Sequence, residues 1–294
     1  MLKGRLGLET ARIPQADRHG LLWLGRGNLT VEDGTLRFTS AGDIDLAPGE
    51  YLIPFQMVSC VLLGPGTTIS HDALRLLARH GTGLIITGEG GVRLYASMPF
   101  GPDDSALARK QATLWSDSGQ RMRLVRRMYA WRLGEVVPDT DLDSLRGLEG
   151  ARMRETYKLL ARQFGIDWAG RHYDRSNPEH DDLPNQAINH AATAVEAAAM
   201  VAVAVVGALP QLGFIHEDSG ISLCLDIADL YRHSITLPVA FGAVREFRRD
   251  PRGAKTIESM TRKLAGRTFR KEKLISKMID HIKELFADDS SGDP

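Results

Sequence analysis

The hydrophobic pattern of this 294-residue chain changes its period once, near residue 98, and this change constrains the fold more than any other feature. Residues 20–97 hold short apolar or alternating runs separated by turns with Gly and Pro, a pattern typical of β-strands. One amphipathic helix over 70–80 interrupts them, with Ser70 as its N-cap. From residue 105 onward the apolar residues recur at helical spacing. We therefore predict an α+β fold of two domains, the first β-rich and the second, larger one all-α.

The same pattern sets the domain boundaries. We predict a β-domain over 1–97, a linker with Pro and Gly over 98–104, a helical domain over 105–286 and a disordered acidic tail over 287–294. The first helix of the helical domain is predicted to run unbroken over 105–133.

Two glycine-rich stretches in the β-domain raise the question of phosphate binding. They read Gly-Pro-Gly at 64–66 and Gly-Glu-Gly-Gly at 88–91. Neither has the glycine spacing of a P-loop or of a dinucleotide-binding turn. Both are therefore predicted to be hairpin turns.

Composition excludes several classes of protein. Lys plus Arg equals Asp plus Glu, so no global charge indicates a nucleic-acid or membrane partner. The two cysteines, Cys60 and Cys224, lie in apolar runs and are too few for a disulfide scaffold. The N-terminus lacks the apolar core of a signal peptide, and the apolar run 197–209 is too short to span a bilayer. We predict a cytoplasmic protein with no membrane partner.

The segment 212–233 holds the first candidate site. His216 lies in a short apolar run, and Asp226 and Asp229 follow three residues apart in a helical pattern. At this spacing both carboxylates project from one face, where a cation would relieve their repulsion. A D-x-x-D pair is more often a solvated helix face, and a lone histidine is more often a core residue. The residues alone leave the metal interpretation and the structural one about equally supported.

A further carboxylate ligand would have to come from another helix. Glu149 is the best candidate, because Gly147 and Gly150 flank it within a helical pattern where glycine is costly. Such glycines are expected where something approaches the backbone closely. Glu155 competes, but it lies among basic residues that indicate pairing on the helix surface.

Charge is unevenly distributed along the helical domain. Between Arg109 and Arg132 there are seven basic residues and one acid, and between Arg245 and Lys273 there are eleven basic residues and four acids. Each run alone is more often a solvated helix face. Two such runs flanking a candidate metal site would also suit a polyanion laid across the helices.

Several motifs in a fixed order resemble one known family. They are P-G-T-x-x-S-H from 65, G-V-R-L-Y-A-S from 91, L-R-G-L-E-G-A-R-x-R-x-T-Y from 145, G-R-x-Y-D from 170, G-F-x-H from 213 and S-L-x-x-D-I-A-D from 222. Together they resemble the CRISPR-associated adaptation integrases, the "Cas-one" endonuclease family, and its type I-E branch in particular. The resemblance covers the chain from about residue 20 to about residue 250.

The resemblance implies a fold, a site and an assembly. It implies an N-terminal β-domain for dimerisation and DNA binding and a helical catalytic domain. The metal ligands would be Glu149, His216 and Asp229, with Mg²⁺ or Mn²⁺ as cofactor. Asp226 would be a further acidic active-site residue that orients the nucleophile, accepts its proton or shares the ion. The protein would form a homodimer, and two dimers would flank a dimer of a small second adaptation protein ("Cas-two") in a heterohexamer. This assembly would bind double-stranded DNA, both the captured fragment and the leader-repeat of the CRISPR array.

DNA contacts are predicted at two kinds of position. Arg93 and Tyr173 alone could be a surface charge at a strand end and a packed loop aromatic. Because both lie within the matched motifs, the resemblance implies that Arg93 pairs with phosphate and that Tyr173 stacks on a base. Outside them, the expected phosphate track consists of Arg245, Arg248, Arg252 and Lys255.

The function predicted is that of a metal-dependent DNA endonuclease and integrase, which joins the 3′-hydroxyl ends of captured DNA to the leader-repeat by transesterification. A metal phosphoesterase of small substrates is a second interpretation, against which the two extended basic runs argue. A catalytically idle DNA-binding scaffold is a third, against which the intact set of Glu149, His216, Asp226 and Asp229 argues.

Overall fold

A computed structural model describes residues 19–43, 46–97, 105–137, 140–171, 182–249 and 256–287. Contacts group the chain into two compact units. One unit contains the residues up to Glu89 together with Leu94–Ala106, and the other contains Gly90–Arg93 and the residues from Leu107 onward. The first unit is rich in strands and the second is helical, which confirms the predicted fold class. The predicted linker 98–104 and all of the predicted tail except residue 287 lie outside the described residues.

The first sheet of the β unit is mostly parallel. It contains β1 (His19–Leu24), β5 (Val58–Leu63), β7 (Gly83–Thr87) and β8 (Leu94–Ser97), in that spatial order. The pairs β1–β5 and β5–β7 are parallel, and β7–β8 is antiparallel with Ile85 opposite Ser97. The antiparallel pair confirms the hairpin predicted at 88–91. Apolar residues fill both faces of β5, as expected for a strand inside a parallel sheet.

The second sheet contains β2 (Gly27–Glu32), β3 (Thr35–Ser40), β4 (Gly49–Ile53) and β6 (Thr67–Ile69), in the order β4-β3-β2-β6. The prediction of a hairpin at 64–66 is wrong. This turn leads from β5 of the first sheet to β6 of the second, where β6 pairs in parallel with β2. A turn sequence shows that the chain reverses but not which strand the next segment joins.

Helix α1 (His71–His80) closes the β unit as predicted. The Ser70 hydroxyl accepts a hydrogen bond from Ala73 N at 3.1 Å, and Gly81 ends the helix at φ 64°. Ala73 and Leu77 pack in the hydrophobic core that the two sheets share, which also contains Phe38 of β3. The long apolar side chains of this core come from alternating strand positions.

The helical unit has eight helices in the part that the structure describes. They are α2 (Ala106–Ser116), α3 (Ser118–Leu133), α4 (Leu142–Phe164), α5 (Leu183–Val206), α6 (Ser222–Asp229), α7 (Leu237–Arg249), α8 (Ile257–Glu272) and α9 (Leu274–Leu285). The single helix predicted over 105–133 is wrong, because Asp117 breaks it. The Asp117 carboxylate accepts a hydrogen bond from Gln120 N at 2.8 Å and so caps a new helix, α3.

Helix α5 forms the centre of this unit. It is long and apolar enough to cross a membrane by length and composition, but more than half of its most apolar stretch is buried within the protein. It packs against α6, α7, α8 and α9. A helix that is apolar on most faces is therefore surrounded by others here. This central position places its one acidic residue, Glu196, next to the site described below.

Candidate functional site

Glu149 lies midway along α4 and is largely buried. The helix begins where the Asp141 carboxylate accepts a hydrogen bond from Ser144 N at 2.8 Å. The Glu149 side chain is 17% exposed, and burial raises the pKa of its carboxyl. Glu155 is 73% exposed and pairs with Lys158 at 2.8 Å. The structure therefore places Glu149 in a site and Glu155 on the helix surface.

The glycines beside Glu149 are not required by packing within the protein. A Cβ added at Gly147 or Gly150 would meet no protein atom within 4 Å. Among the described residues, no atom therefore occupies the space where a side chain at either glycine would begin. The close approach predicted at these glycines would therefore be that of a bound molecule.

His216 belongs to a segment that the buried carboxylate of Asp226 holds. Asp226 Oδ2 accepts hydrogen bonds from the backbone N–H groups of Phe214 at 2.6 Å and Ile215 at 3.0 Å. Asp226 Oδ1 accepts one from His216 N at 2.9 Å and lies 2.7 Å from His216 Nδ1. The hydrogen bond to Asp226 raises the pKa of the His216 imidazole, and burial opposes this effect. With Nδ1 engaged, Nε2 is the ring nitrogen left for a ligand.

Gly213 permits the sharp turn before His216. A Cβ at this position would lie 2.4 Å from the His216 carbonyl oxygen and 2.6 Å from Ser222 Cβ. No other residue fits without moving the backbone. The glycine of the G-F-x-H motif is thus explained by close approach.

The residues that precede Gly213 are held by α2. The side chain of Gln111 is buried; its amide nitrogen donates to the carbonyls of Leu209 and Leu212, each at 2.8 Å. Its amide oxygen accepts from Leu209 N at 2.8 Å. Sequence reasoning missed Gln111, because a glutamine in an amphipathic helix gives no sign of which way it faces.

Three further side chains hold the next carbonyls. Trp115 Nε1 donates to Gly213 O at 2.9 Å, Arg121 Nη2 to Phe214 O at 3.0 Å, and Arg146 Nη2 to Ile215 O at 3.1 Å. The backbone that carries His216 is therefore fixed through both its N–H and its C=O groups.

Asp229 faces a different environment, one made of guanidinium groups. Arg132 Nη1 lies 3.2 Å from Asp229 Oδ2, and Arg132 Nη2 lies 2.5 Å from Glu149 Oε1. Arg232 Nη2 lies 2.5 Å from Asp229 Oδ1. Arg232 opens a π-helical turn, Arg232–Thr236, that follows α6. Two carboxylates from different helices thus share one buried cation, Arg132.

The first basic run is therefore not only a solvated face or a phosphate track. The Arg132 side chain is 4% exposed and that of Arg121 is 20% exposed. Both turn inward to the candidate site. A count of charges along the sequence gives no direction to the side chains.

Glu196 is a second residue that sequence reasoning missed. Burial and the charge of Asp229 raise the pKa of its carboxyl, while Arg232 and His216 oppose this rise. These effects place Glu196 near the site from the α5 side. The available signal was one acidic residue just before the apolar run 197–209, since a charge in such a helix needs partners.

Only some of the predicted metal ligands lie close to one another. Glu149 and Asp229 meet at Arg132, His216 contacts Asp226, and the charge of Asp229 contributes to the raised pKa of His216. Within the described ranges, no three His, Cys, Asp or Glu side chains come together closely enough to hold one metal ion. The donor types nevertheless suit Mg²⁺ or Mn²⁺, and the two carboxylates already share a position for a cation.

The predicted DNA contacts fall into three groups. Arg245 and Arg248 are exposed on α7. Arg93 is paired with Glu258, with 2.9 Å between Nη2 and Oε1. The predicted contacts at Tyr173, Arg252 and Lys255 lie outside the described residues.

Comparison with known proteins identifies the family of this chain. A family model for CRISPR associated protein Cas1 matches residues 129–271, a range that includes all four predicted site residues. The chain is 36% identical over 276 residues to the CRISPR-associated endonuclease Cas1 of Geobacter sulfurreducens, an alignment that covers 94% of this chain and 87% of that protein. The chain belongs to the Cas1 family. The Cas1 endonuclease of Escherichia coli K12 is also 36% identical, with the same coverage.

Solved structures agree with membership of the Cas1 family. A crystal structure of a TtCas1–DNA complex matches with a TM-score of 0.80 and 31% identity, covering 91% of this chain and 96% of that one. A casposase bound to its integration product matches with a TM-score of 0.64 but only 15% identity, so it supports the fold alone. The resemblance to the Cas1 family found in the sequence motifs is confirmed.

Proposed function

We propose that this protein is a metal-dependent DNA endonuclease and integrase of CRISPR spacer acquisition. It would join the 3′-hydroxyl ends of a captured DNA fragment to the leader-repeat of the array. Its Cas1 relatives are named endonucleases, and TtCas1 was crystallised with DNA. The observation that carries the proposal is the meeting of Glu149 and Asp229 at one cation position, in the same site as a histidine that Asp226 holds.

Glu149, His216 and Asp229 would hold Mg²⁺ or Mn²⁺. When bound, such an ion would polarise the scissile phosphate and stabilise the charge of the transition state. In the joining reaction, the 3′-oxygen of the captured strand forms a bond to phosphorus, and the bond from phosphorus to the displaced 3′-oxygen of the array breaks. The attacking 3′-hydroxyl loses a proton and the displaced 3′-oxygen takes one up, so one phosphodiester replaces another and no further reactant is required.

Asp226 would position the histidine rather than act on DNA. Both of its oxygens already accept hydrogen bonds from the segment that carries His216. With neutral His216 donating from Nδ1–H, the lone pair of Nε2 is directed away from Asp226. A carboxylate fixed in this way sets the tautomer and orientation of a ligand.

DNA would be bound through phosphate contacts on the helical unit. Arg245 and Arg248 are exposed and available for this role. Arg93 would first have to exchange its partner Glu258 for phosphate. Tyr173, Arg252 and Lys255 remain predicted contacts. Because phosphate neutralisation releases counterions, we expect DNA binding to weaken steeply with salt.

The proposed assembly follows the family resemblance. We propose a cytoplasmic homodimer that joins the Cas-two protein in a heterohexamer. Size measurement of the protein alone and with its partner tests this part, and a monomer unaffected by the partner would contradict it.

The test of the chemistry is strand transfer. A short duplex with 3′-hydroxyl ends, the partner protein and a supercoiled plasmid with leader and repeat are combined with Mg²⁺, Mn²⁺ or EDTA. We expect metal-dependent nicked product from the wild type and from Glu155→Ala, a variant of an exposed glutamate on the same helix. Glu149→Ala and His216→Ala should give none.

Three outcomes contradict the proposal. Salt-sensitive DNA binding without product from the wild type would indicate an idle scaffold. Hydrolysis of small phosphoesters without strand transfer would indicate a phosphoesterase. Equal activity of Glu149→Ala and Glu155→Ala would remove Glu149 from the site.

A further inference from the structure

Arg132 occupies an unusual position for an arginine in a proposed metal site. It lies in the last turn of α3, is almost fully buried, and bridges Glu149 of α4 to Asp229 of α6. Both partners are acids that the proposed function assigns to the metal. The guanidinium therefore competes for the same carboxylate oxygens.

The hydrogen bonding of Arg132 is incomplete. Among the described residues, its Nε has no hydrogen-bond partner although it is buried. Its Nη1 donates a hydrogen bond to Asp229 Oδ2 at 3.2 Å, whereas its Nη2 lies 2.5 Å from Glu149 Oε1 as an ion pair only. Buried guanidinium groups usually satisfy their donors. Arg132 is therefore held by two ion pairs, only one of which is also a hydrogen bond, and another cation can replace this attraction.

The surroundings give the side chain room to move. A cavity of about 210 Å³ borders Arg132 and is also lined by Trp131, Arg152, Thr156 and His233. This volume is that of several water molecules. Asp229 would keep one anchor after Arg132 moved, because Arg232 contacts Oδ1 whereas Arg132 contacts Oδ2.

We infer that Arg132 is the resident counter-cation of the metal site and must leave the two carboxylates before a divalent ion binds. This inference rests on the proposed function. Without metal, Arg132 offsets the repulsion between Glu149 and Asp229 and keeps the three helices together. With metal, its positive charge opposes the ion until the side chain moves into the cavity. Arg132 thus weakens metal binding and stabilises the metal-free protein.

The inference predicts an increase in affinity, which a purely supporting role would not produce. A neutral residue at 132 removes the positive charge that contacts both carboxylates in the metal-free protein and has to be displaced before the ion binds. We therefore expect Arg132→Gln to bind Mn²⁺ about tenfold more tightly than the wild type. A residue that only supported the ligands would, when removed, leave Mn²⁺ binding weaker.

The experiment measures Mn²⁺ binding to the full chain without DNA, by the electron paramagnetic resonance signal of free Mn²⁺. The matched control is Arg152→Gln, since Arg152 lines the same cavity but pairs with Glu135 at 2.7 Å. We expect the control to bind as the wild type does. The melting temperature of Arg132→Gln should fall below that of the wild type in EDTA, and Mn²⁺ should restore it. Unchanged or weaker binding by Arg132→Gln would overturn the inference.

Failure of the inference and failure of the proposed function are distinguishable. If the wild type binds no Mn²⁺, or if Glu149→Gln does not weaken binding, then the proposed metal site is wrong. If Glu149→Gln abolishes binding while Arg132→Gln does not strengthen it, then only the role of Arg132 is wrong.

The wild type provides a second test that does not depend on the folding of a variant. Arg132 Nε–H is buried, so its hydrogen exchange should be slow in the metal-free protein and fast after Mg²⁺ is added. Nuclear magnetic resonance of ¹⁵N-labelled arginine side chains measures both states. Exchange that stays slow at saturating Mg²⁺ would contradict the movement of Arg132.

Discussion

Asp226 and Asp229 lie one turn apart in the same short helix, yet their surroundings differ in kind. Asp226 is fully buried and accepts hydrogen bonds from three backbone N–H groups and one imidazole. Asp229 is partly exposed and contacts the guanidinium groups of Arg132 and Arg232. Backbone donors cannot leave without unfolding the segment, whereas arginine side chains can rotate away.

The site therefore has two parts. We call Asp226 with the segment that carries His216 the fixed half, and Asp229 with Arg132 and Arg232 the exchangeable half. Around Asp226, every contact holds the segment that carries His216. Around Asp229, both oxygens contact arginine side chains, which another cation can replace. A site that binds and releases an ion needs both kinds of surrounding, because the ligands must be positioned before the ion arrives.

The largest expected effect is a loss of stability when Asp226, in the fixed half, is replaced. Asp226→Ala leaves the N–H groups of Phe214, Ile215 and His216 buried without partners, so we expect the free energy of unfolding to fall by about 3–5 kcal/mol. Asp229→Ala should lower the free energy of unfolding by only about 1–2 kcal/mol, because Arg132 keeps its ion pair with Glu149 and Arg232 reaches solvent. Urea unfolding of both variants measures the difference. Equal losses would show that the two aspartates are not distinct in role.

The next effect concerns the support of the same segment from α2. Gln111→Ala removes three buried hydrogen bonds, so we expect a loss of about 2–3 kcal/mol in the free energy of unfolding and weaker Mn²⁺ binding. The control is Gln163→Ala, an exposed glutamine of α4, which should change stability by less than about 0.5 kcal/mol. Both are measured by urea unfolding and by Mn²⁺ titration. A stability loss with unchanged Mn²⁺ binding would separate Gln111 from the positioning of His216.

A smaller effect, a gain of stability instead of a loss, is expected when Glu196 near the exchangeable half is replaced. Burial raises the pKa of the Glu196 carboxyl above its usual value of 4.5, so the folded protein binds this proton more tightly than the unfolded chain does. The protonated carboxyl therefore favours folding at low pH, and this contribution is lost as pH rises through the raised pKa. We expect Glu196→Gln to melt at a higher temperature than the wild type at pH 8, and the difference to close below pH 4.5. A difference that is the same at both pH values would contradict the burial of this charge.

The smallest effect concerns the open surface beside Glu149. Alanine at Gly147 or Gly150 meets no protein atom, so each change should stabilise the protein by up to about 1 kcal/mol through helix propensity. If DNA approaches α4 at these glycines, the same changes should weaken DNA binding. Thermal unfolding and DNA titration are measured together, and a loss of stability would show that this stretch is packed.

The comparison also shows what the sequence could predict. The change of period near residue 98 predicted the fold class, because strand and helix periodicities depend on burial of one face. The glycines flanking Glu149 and the motifs around His216 and Asp229 predicted the site residues. Each of these signals is local, and each is carried by the residue itself or its neighbours.

The arginines, Gln111 and Glu196 could not be assigned from such signals. Arg132 stands in a basic run, and nothing in the run distinguishes it from exposed arginines. Its burial depends on where α4 and α6 place Glu149 and Asp229, which is a property of the packed helices. The hairpin predicted at 64–66 failed for the same reason, since the partner of β6 is distant in sequence.

Anomalous diffraction from crystals soaked in Mn²⁺ would locate the ion and the Arg132 side chain together. We expect one peak among Glu149, His216 and Asp229, with the Arg132 guanidinium moved away from both carboxylates. A peak elsewhere, or a peak at this position with Arg132 still between Glu149 and Asp229, would contradict this expectation.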